Sequence, residues 1–405
     1  MKILFLSHYF PPEVNAPANR TYEHTKRWIK KGHSVTVITN FPNHPGGAIF
    51  SGYKNRWLYR EIIDGIEVIR VKTYLTPNRG TIRRTINFIV YFFMSIIASF
   101  YVKSVDAIIA TSPQFFCGLA GSVIKTIKNK PFLLEIRDLW PDSIIAVNAV
   151  RKNILISILY FLEKRMYFSA SRIVTVTKGL SRHIIKYGFP RGKVFEITNG
   201  VDFEHISVMN EYTNIFKKDN EFIVAYIGTF GLAHNLYKIL DCAAMMKDRI
   251  DIQFLLIGDG AERNNILQYR LRNNLENVTI LPIQPKERIP YFISRSDIGI
   301  VILKDIPLFQ GALPSKLFEY LSLKTPVICS LPKGEATELV EHSDCGIAIT
   351  PDSAQALVDA IMYMYTNPNR KLIMGENGYK LVKNQFNRDK LADDMLKVIE
   401  EMIKV

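Results

Sequence analysis

The chain has 405 residues, which is long for one hydrophobic core and suits two domains of about 200 residues each. Its content of 48% apolar and 22% charged residues excludes wholesale disorder. The charge is uneven, because the first 200 residues hold 29 Lys and Arg against 11 Asp and Glu, a net +18, whereas the remainder carries −4. This asymmetry favours an anionic partner for the N-terminal half, such as a nucleic acid, a membrane surface or a phosphorylated substrate. A cationic surface that serves only solubility also fits.

Cysteine usage and the N-terminus favour a cytosolic protein. The four cysteines are scattered and none forms a C-x-x-C pair, a pattern typical of reduced thiols and not of a zinc site. The sequence enters a strand-like segment at Ile3, so no signal peptide is expected. Residues 86–102 are apolar at 14 of 17 positions, but as a helix they reach only about 26 Å, short of the ~30 Å hydrocarbon core. A buried crossover helix and a helix lying on a membrane surface both fit this segment.

Short apolar runs alternate with helical stretches in two series along the chain. The first series predicts strands over 2–6, 35–39, 66–71, 106–110, 132–136, 172–176 and 194–197, and helices over 18–31, 82–102 and 152–168. The second predicts strands over 222–227, 252–257, 278–281, 298–302, 326–329 and 346–349, followed after 350 by helices alone. Such alternation indicates parallel sheets covered on both faces, so an α/β fold of two doubly wound, Rossmann-like domains is predicted.

The domain boundary is expected near 199–202, where turn residues precede the polar stretch 209–221. The predicted domains are therefore 1–198 and 199–384, with a C-terminal helix over about 385–405 packing back onto the first. Doubly wound sheets bind ligands beyond the carboxyl ends of their strands. We accordingly expect the functional cleft where the strand ends of the two domains face each other.

Signatures of hydrolases and metal sites are missing from the sequence. It contains no G-x-S-x-G, H-E-x-x-H or G-x-G-x-x-G, and no D-x-D pair that would hold a divalent metal beside a sugar nucleotide. The most informative segment is 313–328, LPSKLFEYLSLKTPVI. A helix beginning near Pro314 would offer unpaired N–H groups and a positive dipole end to a diphosphate, and Lys316 would add a formal charge. Glu319, one turn on, would accept protons from ribose hydroxyls; its alternative role in a capping box needs Ser or Thr at position 316.

Eight segments along the chain form an ordered set: SHYFPPEVNAPANR (7–20), KGHSVTVIT (31–39), FPNHPGG (41–47), EIRDLWPDS (135–143), ITNGVD (197–202), YIGTFGLAHNL (226–236), LLIGDG (255–260) and PSKLFEYLSLKTPVI (314–328). In their order and spacing they resemble the GT-B glycosyltransferases of the retaining family 4. The resemblance is to the branch that builds O-antigens, capsules and colanic acid, with fucosaminyl transferases as its familiar example. The resemblance implies a GT-B fold, with two Rossmann-like domains facing across a cleft.

In the C-terminal half the resemblance implies a donor site. Glu319 matches the second Glu of the family's E-x7-E motif, whereas the first falls at Gly311. The family's diphosphate-binding Arg and Lys align with Thr229 and His234, so Lys316 and the backbone of 228–231 are the expected phosphate contacts; His234 also fits an ordinary surface loop. Gly258 would turn under the base, or serve as a simple structural turn. The implied donor-binding residues are Gly228, Thr229, Gly231, His234, Gly258, Ile283, Ser315, Lys316 and Glu319.

In the N-terminal half the family's donor-contacting His aligns with Arg137, followed by Asp138. Arg137 would stabilise the leaving diphosphate, while Asp138 would either accept the acceptor's proton or orient Arg137. Asn15 and Ala16 replace the family's glycine pair after the first strand. Asn19 and Arg20, which open the next helix beside this cleft loop, are alternative polar contacts, and they also fit solvated positions.

The sequence thus predicts a metal-independent retaining transferase that needs no cofactor. Its expected donor is a UDP-sugar, with an N-acetylated deoxyhexose as one candidate, and its expected acceptor is a polyprenyl-diphosphate-linked glycan at the inner membrane face. Arg83 and Arg84 beside 86–102 would contact anionic lipid, with Arg79 and Lys103 nearby. Two alternatives stay open: another GT-B enzyme (an inverting transferase or a nucleotide-sugar epimerase), and a nucleic-acid-binding protein, which would interleave exposed aromatics with arginines.

Overall fold

The computed structural model describes residues 1–77, 81–112, 114–146, 154–203 and 221–404. The chain divides into two compact units. Unit 1 comprises Met1–Thr198 with Arg388–Val405, and unit 2 comprises Asn199–Asn387. Each unit is built around its own sheet, so the predicted fold class, two doubly wound α/β units, is confirmed.

The sheet of unit 1 has eight strands in the spatial order β3-β4-β2-β1-β5-β6-β7-β8. Their bounds are β1 Lys2–Leu6, β2 Ser34–Asn40, β3 Leu58–Ile63, β4 Ile66–Val71, β5 Ala107–Thr111, β6 Phe132–Ile136, β7 Arg172–Thr175 and β8 Val194–Glu196. All neighbours are parallel except β3 and β4. The sequence prediction missed β3, a half-exposed edge strand; its signal was Asp64-Gly65, whose φ values of 48° and 81° fit a two-residue hairpin turn.

Helices cover both faces of this sheet. Their bounds are α1 Ala16–Lys30, α2 Thr81–Ser99, α3 Phe115–Lys128, α4 Asp142–Ala146, α5 Ile154–Ser169, α6 Lys178–Lys186 and α14 Arg388–Ile403. One core joins the sheet to α2, α3 and α5, and a second core joins its other face to α1 and α14. The last helix is fixed to the first by a buried ion pair between Arg388 and Glu23 at 2.7 Å and by the Trp28 Nε1 bond to the Ala392 carbonyl at 3.0 Å.

The sheet of unit 2 has six parallel strands in the order β11-β10-β9-β12-β13-β14. They are β9 Phe222–Ile227, β10 Ile252–Ile257, β11 Val278–Leu281, β12 Ile298–Ile302, β13 Val327–Ser330 and β14 Gly346–Ile349. The helices are α7 Tyr237–Met245, α8 Arg263–Arg272, α9 Ile289–Ser294, α10 Ser315–Ser322, α11 Glu335–His342, α12 Ala354–Thr366 and α13 Pro368–Gln385. The strand order reverses between β9 and β12, which is where a doubly wound sheet opens a crevice for ligands.

The remaining sequence predictions concern α2 and the thiols. The four cysteines are buried and unbridged. The helix predicted over 82–102 begins at Thr81 and ends at Ser99, and within the described ranges no helix has the length and apolarity needed to span a bilayer. Arg79 and nearly all of the polar stretch 209–221 lie outside the described residues.

Candidate functional site

The loop after β10 in unit 2 approaches the loop after β9 so closely that Gly258 has no room for a side chain, and Gly228 in the loop after β9 lies against Lys316. Gly258 has φ +158°, and a Cβ there would lie 1.8 Å from the carbonyl oxygen of Gly228. Gly228 has φ +150°, and its Cβ would lie 2.8 Å from Nζ of Lys316. Both φ values also disfavour any L side chain. The two turns and Lys316 therefore form one packed cluster at the crevice between β9 and β12.

Lys316 places a buried ammonium in this cluster. Its Nζ is inaccessible to solvent, has no hydrogen-bond partner among the described residues, and lies 3.9 Å from the ring centroid of Tyr226. Burial lowers the pKa of Lys316 to about 7, against the opposing charge of Glu319. Burial and the neighbouring Lys316 also lower the pKa of His234 to about 3, so the imidazole is neutral. A buried cation that lacks a hydrogen-bond acceptor is a strong candidate for binding an anion.

The helix that carries Lys316 adds its N-terminus to this cluster. The N-cap of α10 is Pro314, and in the described part of the chain no side chain caps it. Ser315 is its first residue, so the first N–H groups and the positive dipole end point out of the helix beside Lys316. Glu319 is the fifth helical residue, beyond the third position that a capping box uses, and its side chain is exposed. The capping-box alternative for Glu319 therefore does not apply.

The other predicted donor residues lie at the same edge of the unit 2 sheet. The carbonyl of Thr229 accepts the Tyr226 hydroxyl at 2.7 Å, and the carbonyl of Gly231 accepts the backbone N–H of His234 at 3.0 Å. Ile283 follows the outer strand β11, two strands from β9, and its side chain is 51% exposed. Eight of the nine predicted donor-binding residues therefore lie around the start of α10, whereas Ile283 lies apart from them, beyond the outermost strand β11.

Two tyrosines of this region were missed from the sequence. Tyr226 lies under Lys316, and Tyr320 packs on Gly299, where a Cβ would be 2.4 Å from the ring. The Tyr320 hydroxyl donates to the Ala225 carbonyl at 3.1 Å and accepts the Ile227 N–H at 2.8 Å. It therefore fixes the end of β9 just before the Gly228 turn. The one hydroxyl-bearing side chain in the otherwise apolar strand FIVAYI was the available signal for Tyr226.

In unit 1, Arg137 and Asp138 follow β6. The Arg137 N–H donates to Ser112 Oγ at 3.1 Å, and its Nη1 donates to the Ala16 carbonyl at 3.2 Å. Burial lowers the pKa of Arg137 to about 9, with Glu135 opposing. Burial raises the pKa of Asp138 to about 6, with the hydrogen bond from Ser143 opposing. Asp138 therefore has the proton affinity of a group that can accept a proton near neutral pH.

The prediction that Arg20 contacts a ligand is corrected by the structure. Its guanidinium is buried, forming an ion pair with Glu135 at 2.7 Å and donating to the carbonyls of Ile197 at 2.8 Å and Thr198 at 2.5 Å. These bonds use all three guanidinium nitrogens. Arg20 therefore joins α1 to β6 and to residues 197–198, where the first segment of unit 1 ends. The neighbouring Asn15 is likewise structural, because its Oδ1 caps α1 at the Ala18 N–H, 3.0 Å away.

The remaining predicted residues of this loop and of the start of α1 are Ala16 and Asn19. Ala16 is exposed and supplies its carbonyl to Arg137, and Asn19 is half-buried in the first turns of α1. Within the described ranges, no group of three His, Cys, Asp or Glu side chains is arranged to hold a metal ion.

The helix α2 has one buried and one exposed apolar face. Tyr91, Met94 and Ala98 face the sheet, whereas Phe93 is 58% exposed and Phe100, just past the helix, is 62% exposed. We use the name apolar helix face for the exposed apolar side chains of α2, α3 and α5, which pack side by side on one face of the sheet. They are Ile86, Ile89, Phe93, Ile97, Val123, Ile127, Ile154, Ile158, Phe161 and Phe168. Part of the apolar segment 86–102 is therefore exposed, and so are Arg83 and Arg84 at the start of α2.

Comparison with known proteins gives this geometry a context. The family model described as Glycosyltransferase Family 4 matches residues 18–205, and the model described as Glycosyl transferases group 1 matches residues 210–381. WcaI of Escherichia coli (strain K12), provisionally assigned as a colanic acid biosynthesis glycosyl transferase, is 23% identical to this chain. The alignment covers 93% of this chain and 95% of WcaI.

Solved structures show the same fold over the full length. Sucrose-phosphate synthase from Thermosynechococcus elongatus superimposes with a TM-score of 0.79 at 17% identity, covering 100% of this chain and 99% of that one. HepE from Anabaena, solved with UDP-glucose, has a TM-score of 0.70 at 16% identity, covering 99% of this chain and 100% of that one. The chain therefore has the GT-B fold. It carries a family 4 and a group 1 glycosyltransferase domain, and it is a glycosyltransferase.

Proposed function

We propose that unit 2 binds a nucleoside diphosphate sugar, with its diphosphate at Lys316 and the start of α10. The observation that carries this proposal is the buried Lys316 ammonium, which has a depressed pKa and lies beside an uncapped helix N-terminus. A diphosphate would supply both the acceptor atoms and the negative charge that these groups require. The exposed Glu319, one turn along α10, would accept the ribose hydroxyl protons.

Uridine is the proposed base, so the donor is a UDP-sugar. The HepE structure with UDP-glucose supports this choice, because its fold matches this chain over nearly the full length. The backbone beside Ile283, beyond β11, would contact the base. An N-acetylated deoxyhexose is the candidate sugar, on the strength of the resemblance described above.

The proposed reaction retains the anomeric configuration and needs no metal. Lys316 and the α10 N-terminus would stabilise the charge that develops on the leaving diphosphate. The acceptor hydroxyl would attack from the face that the diphosphate leaves, so that the configuration is retained without a protein nucleophile. In unit 1, Arg137 would contribute further positive charge and Asp138, with its pKa of about 6, would accept the acceptor's proton or orient Arg137.

The proposed acceptor is a polyprenyl-diphosphate-linked glycan. The colanic acid biosynthesis in the name of the relative WcaI supports the coarser part of this proposal, a role in polysaccharide synthesis. The apolar helix face supports a membrane-bound acceptor, because exposed apolar side chains on neighbouring helices, with basic residues beside them, suit an anionic lipid surface. We propose that this face docks on the inner surface of the cell membrane, with Arg83 and Arg84 contacting lipid headgroups.

Donor binding is tested by calorimetry with UDP and GDP in excess EDTA. We expect UDP to bind more tightly than GDP. If neither nucleotide binds the folded protein at millimolar concentration, the donor-site proposal is wrong. Once an acceptor is in hand, an inverted anomeric configuration in the product, or conversion of donor without acceptor, would favour the alternative GT-B chemistries.

Membrane docking is tested by co-sedimentation with vesicles of phosphatidylglycerol and phosphatidylcholine. Binding should require the anionic lipid, weaken with salt, and decrease when Arg83 and Arg84 are both replaced by Glu. A matched control replaces Lys390 and Lys397 by Glu, because these exposed residues lie on α14, across the sheet from the apolar helix face. Equal losses in the two variants, or no binding of the wild-type protein at low salt, would contradict docking by this face.

A further inference from the structure

Residues 228–236, here named the donor loop, join β9 to α7 and include four of the proposed donor contacts. The first half of this loop is fixed by Phe230, whose side chain is buried. The Phe230 N–H donates to the Asp259 carbonyl at 2.8 Å, and the Phe230 carbonyl accepts the Glu262 N–H at 2.9 Å. These bonds join the donor loop to the loop after β10. Its second half, which contains His234, is fixed from another direction.

The side chain of Asp352 joins this second half to two other loops. Asp352 lies between β14 and α12, and its carboxylate accepts a hydrogen bond from the side-chain amide of Asn235, at the end of the donor loop. It also accepts the backbone N–H of Asp305, after β12, at 3.3 Å. The Lys304 N–H donates to the Ala233 carbonyl at 2.9 Å, which joins the loop after β12 to the donor loop directly. Three loops at the carboxyl edge of the sheet therefore meet at Asp352.

The backbone at this junction suits the two residue types found there. Asn235 has φ 41° and Asp352 has φ 61°, in the left-handed region that Asn and Asp adopt more readily than other residues with side chains. Asp352 also immediately precedes a firmly held helix, because Ser353 caps α12 at the Ala356 N–H, 3.1 Å away, and α12 packs on α7 in the core of unit 2. The carboxylate is thus presented from an anchored element to the donor loop.

The residue that precedes Asn235 is His234, which belongs to the Lys316 cluster. Its Nδ1 is buried without a hydrogen-bond partner in the described part of the chain, and a Cβ on Gly231 would lie 3.3 Å from that atom. The ring centroid of His234 lies 6.3 Å from that of Tyr226, the ring that also contacts Lys316. Because the His234 ring makes few polar contacts of its own, the position of this part of the loop depends on the bonds at Asn235 and Ala233.

We propose that Asp352 is a positioning residue for donor binding, which holds the donor loop beside Lys316 before the diphosphate arrives. This inference rests on the proposed function and adds a residue that acts through Asn235, without contact with the donor. A loop that is fixed in advance spares the ordering cost that binding would otherwise include. The charge of Asp352 acts in the opposite direction, because a carboxylate near an anion disfavours its binding. A positioning role and a purely electrostatic role therefore predict effects of opposite sign.

Calorimetry with UDP on the variant Asp352→Asn tests the sign. Asp352 is exposed and Asn tolerates the same backbone, so the variant should fold. Its amide can accept only one of the two hydrogen bonds, and UDP affinity should fall about tenfold, the scale of one lost charge-assisted bond. The matched control is Asp344→Asn. Asp344 also has a left-handed φ, 47°, and accepts bonds from Arg370 and Asn377, but it precedes β14 at the opposite edge of the sheet. This control should keep the wild-type affinity for UDP even where its melting temperature falls.

A double variant distinguishes positioning from a general loss of stability. In Asn235→Asp with Asp352→Asn the carboxylate and the amide exchange places, so both hydrogen bonds of the junction can form again at the original net charge. UDP affinity should return most of the way to the wild-type value, whereas Asn235→Asp alone, which opposes two carboxylates, should bind UDP more weakly than the wild-type protein.

Several results would overturn the inference. Unchanged or tighter UDP binding in Asp352→Asn would show that the carboxylate does not position the loop. An equal loss in Asp344→Asn, or no recovery in the double variant, would show that the loss is not specific to this junction. If the wild-type protein binds UDP and only these expectations fail, the donor site remains and the positioning role is wrong. If the folded wild-type protein does not bind UDP, the proposed function fails and this inference fails with it.

Discussion

Replacing Lys316 by Met should stabilise the empty protein and weaken its binding of UDP. The two side chains have similar length and volume, so Met can fill the same space over Tyr226 without the charge. Lowering a lysine pKa from 10.5 to about 7 corresponds to at most about 5 kcal/mol of unfavourable burial of the charged form. The same substitution removes charge-assisted hydrogen bonds to the diphosphate, which contribute about 1.5–3 kcal/mol. UDP affinity should therefore fall about ten- to a hundredfold.

The pH dependence of this effect has a defined sign. Between pH 7 and 10.5 the unfolded lysine keeps its proton while the folded one loses it, so the unfolded state binds more protons and stability rises with pH. Relative to Lys316→Met, the wild-type protein should therefore gain up to about 3 kcal/mol between pH 7 and pH 9. Other groups titrate in this range, and the comparison with the variant removes their contribution. The stability advantage of the variant should be largest at pH 7 and smaller at pH 9.

Thermal unfolding at the two pH values and calorimetry with UDP measure both sides of the prediction. Binding of a diphosphate should return the proton to Lys316, so at pH 8 the wild-type protein should take up nearly one proton per UDP, a quantity read from titrations in buffers of different ionisation enthalpy. The variant should take up none through this residue. A folded Lys316→Met protein with wild-type affinity for UDP would refute the assignment of the diphosphate to Lys316.

Four further predictions follow from the same structure. Glu319→Ala should leave the fold intact and weaken UDP binding ten- to a hundredfold by calorimetry, whereas unchanged affinity would remove Glu319 from the ribose site. Transferase activity should persist in excess EDTA, and a loss restored by manganese or magnesium would show that the donor site needs a metal. Arg137→Ala should lower kcat far more than it raises the donor KM; a normal kcat with a high KM would make Arg137 a ground-state binder. Arg20→Met should destabilise the protein by about 3–5 kcal/mol in thermal or chemical unfolding, because it leaves Glu135 buried without its partner, and a wild-type melting temperature would contradict its structural role.

Most of the fold could be predicted because its strands are buried on both faces. Most interior strands read as short, mainly apolar runs, as in AIIAT (107–111) and IGIVI (298–302), and the predicted bounds agree with the structure to within one or two residues. The edge strand β3 escaped because only one face of it is covered, so its sequence LYREII mixes exposed charge with apolar residues. A strand can be recognised from its hydrophobic pattern only where burial requires its residues to be apolar.

The candidate site was predictable in part for a different reason. Turns that require glycine and a helix that begins after proline leave local signals, which is why Gly228, Gly258 and the start of α10 could be placed from sequence. The structural role of Arg20 could not be predicted from the sequence, because its partner Glu135 and the carbonyls of 197–198 are more than a hundred residues away along the chain. An arginine in a ligand loop and an arginine in a buried ion pair have the same local sequence signal. The distinction is made by tertiary contacts alone.

In the proposed donor site, the residues that resemble the usual phosphate-binding pair are not cations, which leaves Lys316 as the main positive charge expected at the diphosphate. Thr229 and His234 occupy the positions that resemble that Arg and Lys, and His234 is held neutral by burial next to the Lys316 charge. A second cation in the same buried space would raise the cost of the empty state, since like charges at close range each depress the other's pKa. The positive potential at this place instead comes from one titratable group, Lys316, and from the uncapped start of α10, with the two glycine turns packed beside them. Donor affinity in this protein should therefore fall more steeply as the pH rises above 7 than it would with an arginine in place of Lys316, because arginine keeps its charge throughout that range.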